Sequence, residues 1–188
     1  MTIKIVNEYH ERHPNPYRWP SVKEDHIALL TLIDRYNVKT IFEFGTWEGY
    51  TTQLLAEQPA IEKVFTLDIH KDIFPAVNYD HPSHGKTLKE NYGKFIKSKK
   101  VEQIFHDSLT YKPDKKVDMV FIDGNHDFQH VRNDTQLALK MNPKIIAWHD
   151  YDSPGNPGVK VFIDLLISEG KKIKVFPNSI VAYLEVEK

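Results

Sequence analysis

Apolar residues in this chain gather into short runs, and the runs follow two rhythms. Seven of them are brief and rich in β-branched or aromatic side chains: Thr40 to Gly45, Lys63 to Asp68, Val101 to His106, Val117 to Asp123, Lys144 to His149, Lys171 to Val175 and Ser179 to Val186. Each has the length of a strand. The first five are nearly continuous rather than alternating, the pattern of strands covered on both faces in a parallel sheet. The second rhythm is helical. Ser21 with Glu24 three residues on forms a capping box after Pro20, and Ile27, Leu30 and Ile33 then share a face up to about Tyr36. Phe128, Val131, Thr135 and Ala138 mark a helix between the fourth and fifth strands. Asn156-Pro157 places an N-cap before a proline at the first helical position, Val159, Phe162, Ile163, Leu166 and Ile167 follow on one face, and Gly170 ends the element. Thr51 to Glu57 and Lys86 to Lys97 are further helical segments.

Strand and helix alternate, which predicts an α/β fold of three layers, Rossmann-like, with right-handed crossovers. The last two runs break the alternation. Only Phe176, Pro177 and Asn178 separate them, and so short a connection joins antiparallel neighbours. The expected sheet is therefore seven-stranded, mostly parallel, and closed by an antiparallel hairpin. At 188 residues the expectation is a single domain, with an N-terminal segment and helix over residues 1–37 and an α/β core over 38–188. Pro75 to Lys86, with two prolines, a glycine and histidines, reads as a surface loop beside the working edge of the sheet.

Composition narrows the chemistry. A formal net charge of −1 without long runs of one sign lacks the footprint of a nucleic-acid or anionic-membrane binder, so the expected partner is a small molecule. The chain has no cysteine, which excludes disulfides, thiolate zinc sites and a cysteine nucleophile. Any metal must be held by oxygen or imidazole. Neither a signal-peptide core nor a spanning apolar stretch is present, and the expected location is cytoplasmic. Nothing in the sequence reads as an oligomeric state.

In an open α/β sheet the ligand lies beyond the carboxyl ends of the strands. The first such end is Glu43-Phe44-Gly45-Thr46-Trp47-Glu48-Gly49, whose glycines let the backbone turn sharply and approach a ligand at a helix N-terminus. Asp68 ends the second strand 23 residues after Gly45, the distance of a carboxylate that binds ribose hydroxyls. Gly45 as a plain tight turn and Asp68 as a helix cap are the bland alternatives. The turn fails the G-x-G-x-x-G of dinucleotide folds, so the pair points to a different adenosine-bearing cofactor.

These strand ends, with Asp107-Ser108 after the third, Asp123-Gly124 after the fourth and the closing antiparallel pair, resemble class I S-adenosylmethionine-dependent methyltransferases. FIDGNHDFQHVRNDTQLAL and IIAWHDY together are similar to a bacterial branch with Asp-Gly-x-His after the fourth strand and His-Asp-Tyr after the fifth. The likeness runs from about Thr40 to Leu166. It implies that Glu43, Gly45, Thr46 and Gly49 line the methionine half of S-adenosylmethionine, that Asp68 holds the ribose, and that Asp107 and Ser108 flank the adenine. Trp47 belongs to the same cofactor turn but stands where many members have glycine, so its side chain must point away from the cofactor or narrow the pocket.

Asp123 and Asp150 end adjacent strands, and their carboxylates are expected to converge beside the transferable methyl group with His126 and His149 next to them. Methyl transfer to oxygen needs the acceptor hydroxyl deprotonated, by a histidine base or by a bound Mg²⁺ that lowers its pKa. Asp123 and Asp150 are the candidate metal ligands, Asp123 also counts among the cofactor-binding residues, and His126, His149 and Asp150 are the candidate catalytic groups. Some relatives have Asn or Asp after the second carboxylate, where this chain has Tyr151.

Three competing readings attach to the same residues. Gly124-Asn125-His126-Asp127, with Asp68-Ile69-His70 upstream, also resembles the binuclear metallophosphoesterases. That centre needs a Gly-Asp-x-x-Asp and a late Gly-His-x-His, and the sequence contains neither. A non-catalytic α/β binding domain is the second. The third is structural: Asn125 and Asp127 as caps, Asp123 as a turn residue, His149 as a core histidine, His130 and Arg132 on a solvated helix face, and His70, His81 and His84 in a loop. Tyr17, Arg18, Trp19 and the loop around His81 are candidates for acceptor contact.

Overall fold

In the computed structural model, which describes residues 2–14, 22–69 and 92–187, each apolar run becomes a strand or trims to one. The strands are β1 (Thr40–Phe44), β2 (Lys63–Asp68), β3 (Val101–Phe105), β4 (Met119–Ile122), β5 (Ile145–Trp148), β6 (Lys174–Val175) and β7 (Ala182–Glu185). They form one sheet in the order β3-β2-β1-β4-β5-β7-β6. The first five run parallel, and β7 lies antiparallel between β5 and β6.

The helices are α1 (Thr2–Arg12), α2 (Val22–Tyr36), α3 (Tyr50–Glu57), α4 (Phe128–Lys140) and α5 (Pro157–Ser168). Successive residues of a strand point to opposite faces, and the two cores divide accordingly. Ile41, Val64, Met119, Phe121, Ile145 and Ala147 meet α1, α2 and α3 on one side. Phe42, Phe44, Val120, Ile122, Ile146 and Trp148 meet α4 and α5 on the other. Both faces of the central strands are covered, which is why β4 and β5 are apolar at every position and β1 is apolar except at Thr40 and Glu43. Trp148 is wholly enclosed, and its indole N–H donates to Thr135 Oγ1 at 2.9 Å. At the opposite end of the sheet, Asp118 accepts from the amides of Lys39 (2.8 Å) and Thr40 (3.0 Å) and pairs with Lys144 at 2.9 Å.

Four details depart from the pattern. Helix α1 is not among the expected elements: Ile5, Val6 and Tyr9 form a short apolar stripe, Val6 and Tyr9 are buried, and the Tyr9 hydroxyl donates to Tyr50 O at 2.7 Å. Strand β3 is an edge, covered incompletely, with Glu102 and Phe105 exposed. Of the helix expected over Lys86 to Lys97, the described part, from Tyr92, begins with a turn: Gly93 has φ +65° and the Gln103 amide fills the place a Cβ would take. The buried stripe of α2 is wider than Ile27, Leu30 and Ile33, and takes in Asp25, His26, Ala28, Leu29 and Leu32. Ser21 of the capping box, the Pro75 to Lys86 loop, and Tyr17, Arg18, Trp19, His70, His81 and His84 lie outside the described residues. Among the described residues, no helix is long and apolar enough to cross a membrane.

Candidate active site

The turn after β1 is held in place by close packing against the turn after β4. Gly45 has φ +94°, and a Cβ there would lie 2.0 Å from Asp123 O, so no side chain fits. Trp47 follows with φ +44°, the left-handed region that glycine enters freely and a tryptophan enters under strain. The Asp68 carboxylate holds this turn: Oδ2 accepts from the amides of Thr46 (2.9 Å) and Trp47 (2.7 Å), and Oδ1 from Ile69 (2.7 Å). Burial raises its pKa despite these donors. Three accepted bonds leave a carboxylate with capacity for one more. Gly49, at φ +79°, opens α3 where a Cβ would strike the Ile96 side chain at 2.4 Å.

Glu43 faces inward. Its Oε2 accepts from the hydroxyls of Thr52 (2.5 Å) and Thr66 (2.6 Å), and Thr66 in turn meets Thr46 Oγ1 at 2.7 Å. Enclosure in the core pushes Glu43 up to about 8, the two hydroxyl bonds notwithstanding. Beyond β3, Asp107 folds a turn by accepting from Leu109 N at 2.9 Å, and the Asn133 side chain ties this turn to α4 through Ser108 O, also at 2.9 Å. Asp134 lies buried beneath it, and burial raises its pKa to about 6 against the hydrogen bonds from Ser108 and Asn133.

Where β4 and β5 end, four titratable groups meet. Asp150 adopts φ +62°, a conformation that Asp tolerates, and this turns its carboxylate back over the strand ends. Its Oδ2 is 2.7 Å from His126 Nε2 and 3.3 Å from His149 Nδ1. Asp123 Oδ1 is 3.2 Å from His149 Nδ1 and 3.6 Å from His126 Nε2. The second nitrogen of His149 is engaged as well: Nε2 lies 3.1 Å from Asp25 Oδ2 on α2. Asn125 Oδ1 accepts from Asp127 N at 2.9 Å, so the Asn-His-Asp string forms a turn into α4, with Asp127 at the N-cap position without a side-chain cap bond.

Burial by itself would lower both imidazoles, but the carboxylates win. His126 is pushed up to about 9 by hydrogen bonds and charge from Asp123 and Asp150, and His149 is raised by Asp123, Asp150 and Asp25. Burial alone would raise Asp123, Asp150 and Asp25; the histidines hold all three below the usual carboxylate range. One donor atom each from Asp123, His126 and Asp150 lie within 4.8 Å of one another. Two carboxylate oxygens and an imidazole nitrogen at that spacing can hold a divalent cation, and the imidazole favours one such as Mn²⁺ over the harder Mg²⁺.

The fold thus gathers Gly45, Thr46, Trp47, Gly49 and Asp68 at one side of the strand ends, Asp107 and Ser108 at another, and Asp123, His126, His149 and Asp150 between β4 and β5. Asp25 and Asp134 are additions that strand-end motifs do not reveal. Asp25 left one trace in the sequence: it stands at helical spacing from Leu29 and Leu32, an acid on an apolar face.

A sheet of this strand order, with a glycine turn after its first strand and a carboxylate ending its second, defines a class I S-adenosylmethionine-dependent methyltransferase. The sequence matches the family described as Methyltransferase domain over residues 42–151, more than half of the chain, and the chain belongs to that family. Similar solved structures include a methyltransferase from Podospora anserina bound to S-adenosylhomocysteine (15% identity, 100% of this chain and 88% of that one, TM-score 0.62). An O-methyltransferase from Bacillus cereus in complex with S-adenosylhomocysteine is 18% identical over 98% and 90% of the two chains, with TM-score 0.54. The O-methyltransferase TomG from Streptomyces achromogenes, in complex with S-adenosylmethionine, is 17% identical over 99% and 90%, also with TM-score 0.54. At these identities the likeness is one of fold. No curated protein matches the chain by sequence. The Gly-Asn-His-Asp string is accordingly the β4–α4 connection of a methyltransferase, not half of a phosphoesterase centre.

Proposed function

We propose that the chain, acting as a single domain, methylates an oxygen of a small molecule, with a divalent cation held by Asp123, His126 and Asp150. The observation that carries this is the convergence of those three side chains at adjacent strand ends, with the backbone of Asp123 packed against Gly45 of the turn after β1. The cofactor supplies an electrophilic methyl group, and the cation lowers the pKa of an acceptor hydroxyl. The protein's own tasks are alignment and handling of one proton.

Thr46, Trp47 and Gly49 present the turn at the methionine end, while Asp68, which fixes that turn, keeps an acceptor position for a ribose hydroxyl. Asp107 and Ser108 border the adenine. Glu43 supports the turn from behind through the Thr66 to Thr46 hydroxyl pair, a role different from lining the pocket. His126 faces the acceptor side as a cation ligand; with its pKa pushed up to about 9 by Asp123 and Asp150 it carries a proton at neutral pH, which a bound cation would displace. His149 is unsuited to be a base because both its nitrogens face carboxylates; it holds Asp123 and Asp150 in place. The small net charge and the O-methyltransferases of the same fold support a small acceptor and an oxygen nucleophile.

Calorimetric titration with S-adenosylhomocysteine, then with Mn²⁺, tests this. Both are expected to bind, and Asp150→Asn to lose the cation while keeping the nucleoside. No binding of S-adenosylhomocysteine at millimolar concentration would refute the reading.

A further inference from the structure

Asp25 is an acid where the fold has every reason to place an apolar residue. It is 2% exposed on the inner face of α2. A buried carboxylate is costly unless it is fully bonded, and this one is. Oδ1 accepts from Ser179 Oγ at 2.7 Å and from Ile180 N at 3.1 Å, both in the connection between β6 and β7. Oδ2 faces His149 Nε2 at 3.1 Å. The carboxylate is therefore fixed on one side by the hairpin and directed on the other at a single imidazole nitrogen. The opposite nitrogen of that ring lies 3.2 Å from Asp123 and 3.3 Å from Asp150.

We propose that Asp25 is a positioning residue for the site: through His149 it sets the placement of the Asp123 and Asp150 carboxylates, so that α2 and the β6–β7 connection determine how well the site holds a divalent cation. This rests on the cation reading above. The geometry gives the reason. An imidazole with a carboxylate at one nitrogen only can rotate about its χ angles, whereas carboxylates at both ends leave it one orientation. Both acids then face the Nδ1 side of one fixed ring at nearly equal distance, so the orientation of that ring sets where their charge is best balanced, and the same two oxygens lie beside His126 Nε2. Partners of this kind tune metal sites from outside the ligand set. Neither Asp25 nor Ser179 lies in the segment that matches the family, residues 42–151.

Mn²⁺ affinity, read from the spin-resonance signal of free Mn²⁺, and S-adenosylhomocysteine affinity, read by calorimetry, should be measured on the full chain and on Asp25→Asn, Ser179→Ala and Asp118→Asn. Asp25→Asn is expected to weaken Mn²⁺ by about 10-fold to 100-fold and to leave S-adenosylhomocysteine within about twofold. Ser179→Ala keeps the charge but loosens the carboxylate, and a smaller loss of Mn²⁺ affinity is expected; it carries the test if Asp25→Asn does not fold. Asp118→Asn, at the far end of the sheet, should lower Tm without changing Mn²⁺ affinity. Equal Mn²⁺ affinity in wild type and in the folded variants of Asp25 and Ser179 would overturn the inference alone. Parallel loss of both ligands would assign Asp25 a merely structural role and overturn it too. Absence of Mn²⁺ binding by the wild type would overturn the cation reading and this inference together.

Discussion

At Gly45 two strand exits pass so closely that hydrogen is the largest side chain possible. A methyl group would have to displace Asp123 O, which is backbone, and would sit on a residue whose φ of +94° L side chains avoid. Gly45→Ala is expected to cost about 3 kcal/mol of stability, seen as a lowered urea midpoint with unchanged slope, and to abolish S-adenosylhomocysteine binding by displacing Asp123. Nearby Trp47 shows what the family likeness could suggest but not decide. Its φ lies in the left-handed region that glycine enters freely, and the chain accepts the strain while the amides of Thr46 and Trp47 are held by Asp68. The sequence displayed Asp123, His126, His149 and Asp150 plainly, because chemistry-bearing residues stood at strand ends. It did not display that His149 is saturated by acids on both sides. One of those acids comes from 124 residues earlier in the chain, a pairing that no local spacing encodes.

Among the elements, α5 has a particular bearing on the site. Its first turn rests on the loop that carries His126: at Gly158 a Cβ would lie 2.4 Å from His126 O and 2.6 Å from Phe128 N. Helix propensity alone would favour alanine there. Contact reverses the sign, and Gly158→Ala is expected to cost about 1–3 kcal/mol and to weaken Mn²⁺ binding by moving that loop, measured as Tm and Mn²⁺ affinity together. Elements with strong periodicity were legible: β1, β2, β4, β5, α4 and α5 lie where apolar spacing put them, with ends trimmed by a residue or two. Helix α1 was passed over, although Ile5, Val6 and Tyr9 stand at helical spacing and pack on the core; the stripe is short and set among charged residues. The edge position of β3 was hidden, because strand order is a property of the sheet and not of the strand.

For the molecule as a whole, the buried acids make stability depend on pH in opposite senses at the two ends of the scale. Asp25, Asp123 and Asp150 have depressed pKa values, so the stability they contribute is lost as the solution is acidified. Glu43 is the reverse case. Its folded pKa is about 8 against 4.5 for the free side chain, so both states hold the proton below 4.5, and between 4.5 and 8 only the folded state does. Its contribution is therefore full in acid and lost as pH rises through about 8. Thermal melts of wild type and Glu43→Gln from pH 4 to pH 9 should show the variant gaining on the wild type by up to about 1.4 kcal/mol per pH unit across that window, with no further gain outside it.

The clasp between Asp25 and Ser179 joins residues 154 positions apart. The cost of closing so long a loop grows only slowly with its length, so the bond is set by the packing of α2 against the β6–β7 connection and not by nearness in the chain. Asp25 thus joins the two ends of the described fold at the point where β4 and β5 deliver their acids. A change in the β6–β7 connection is therefore felt at Asp123 and Asp150 by way of one carboxylate and one imidazole.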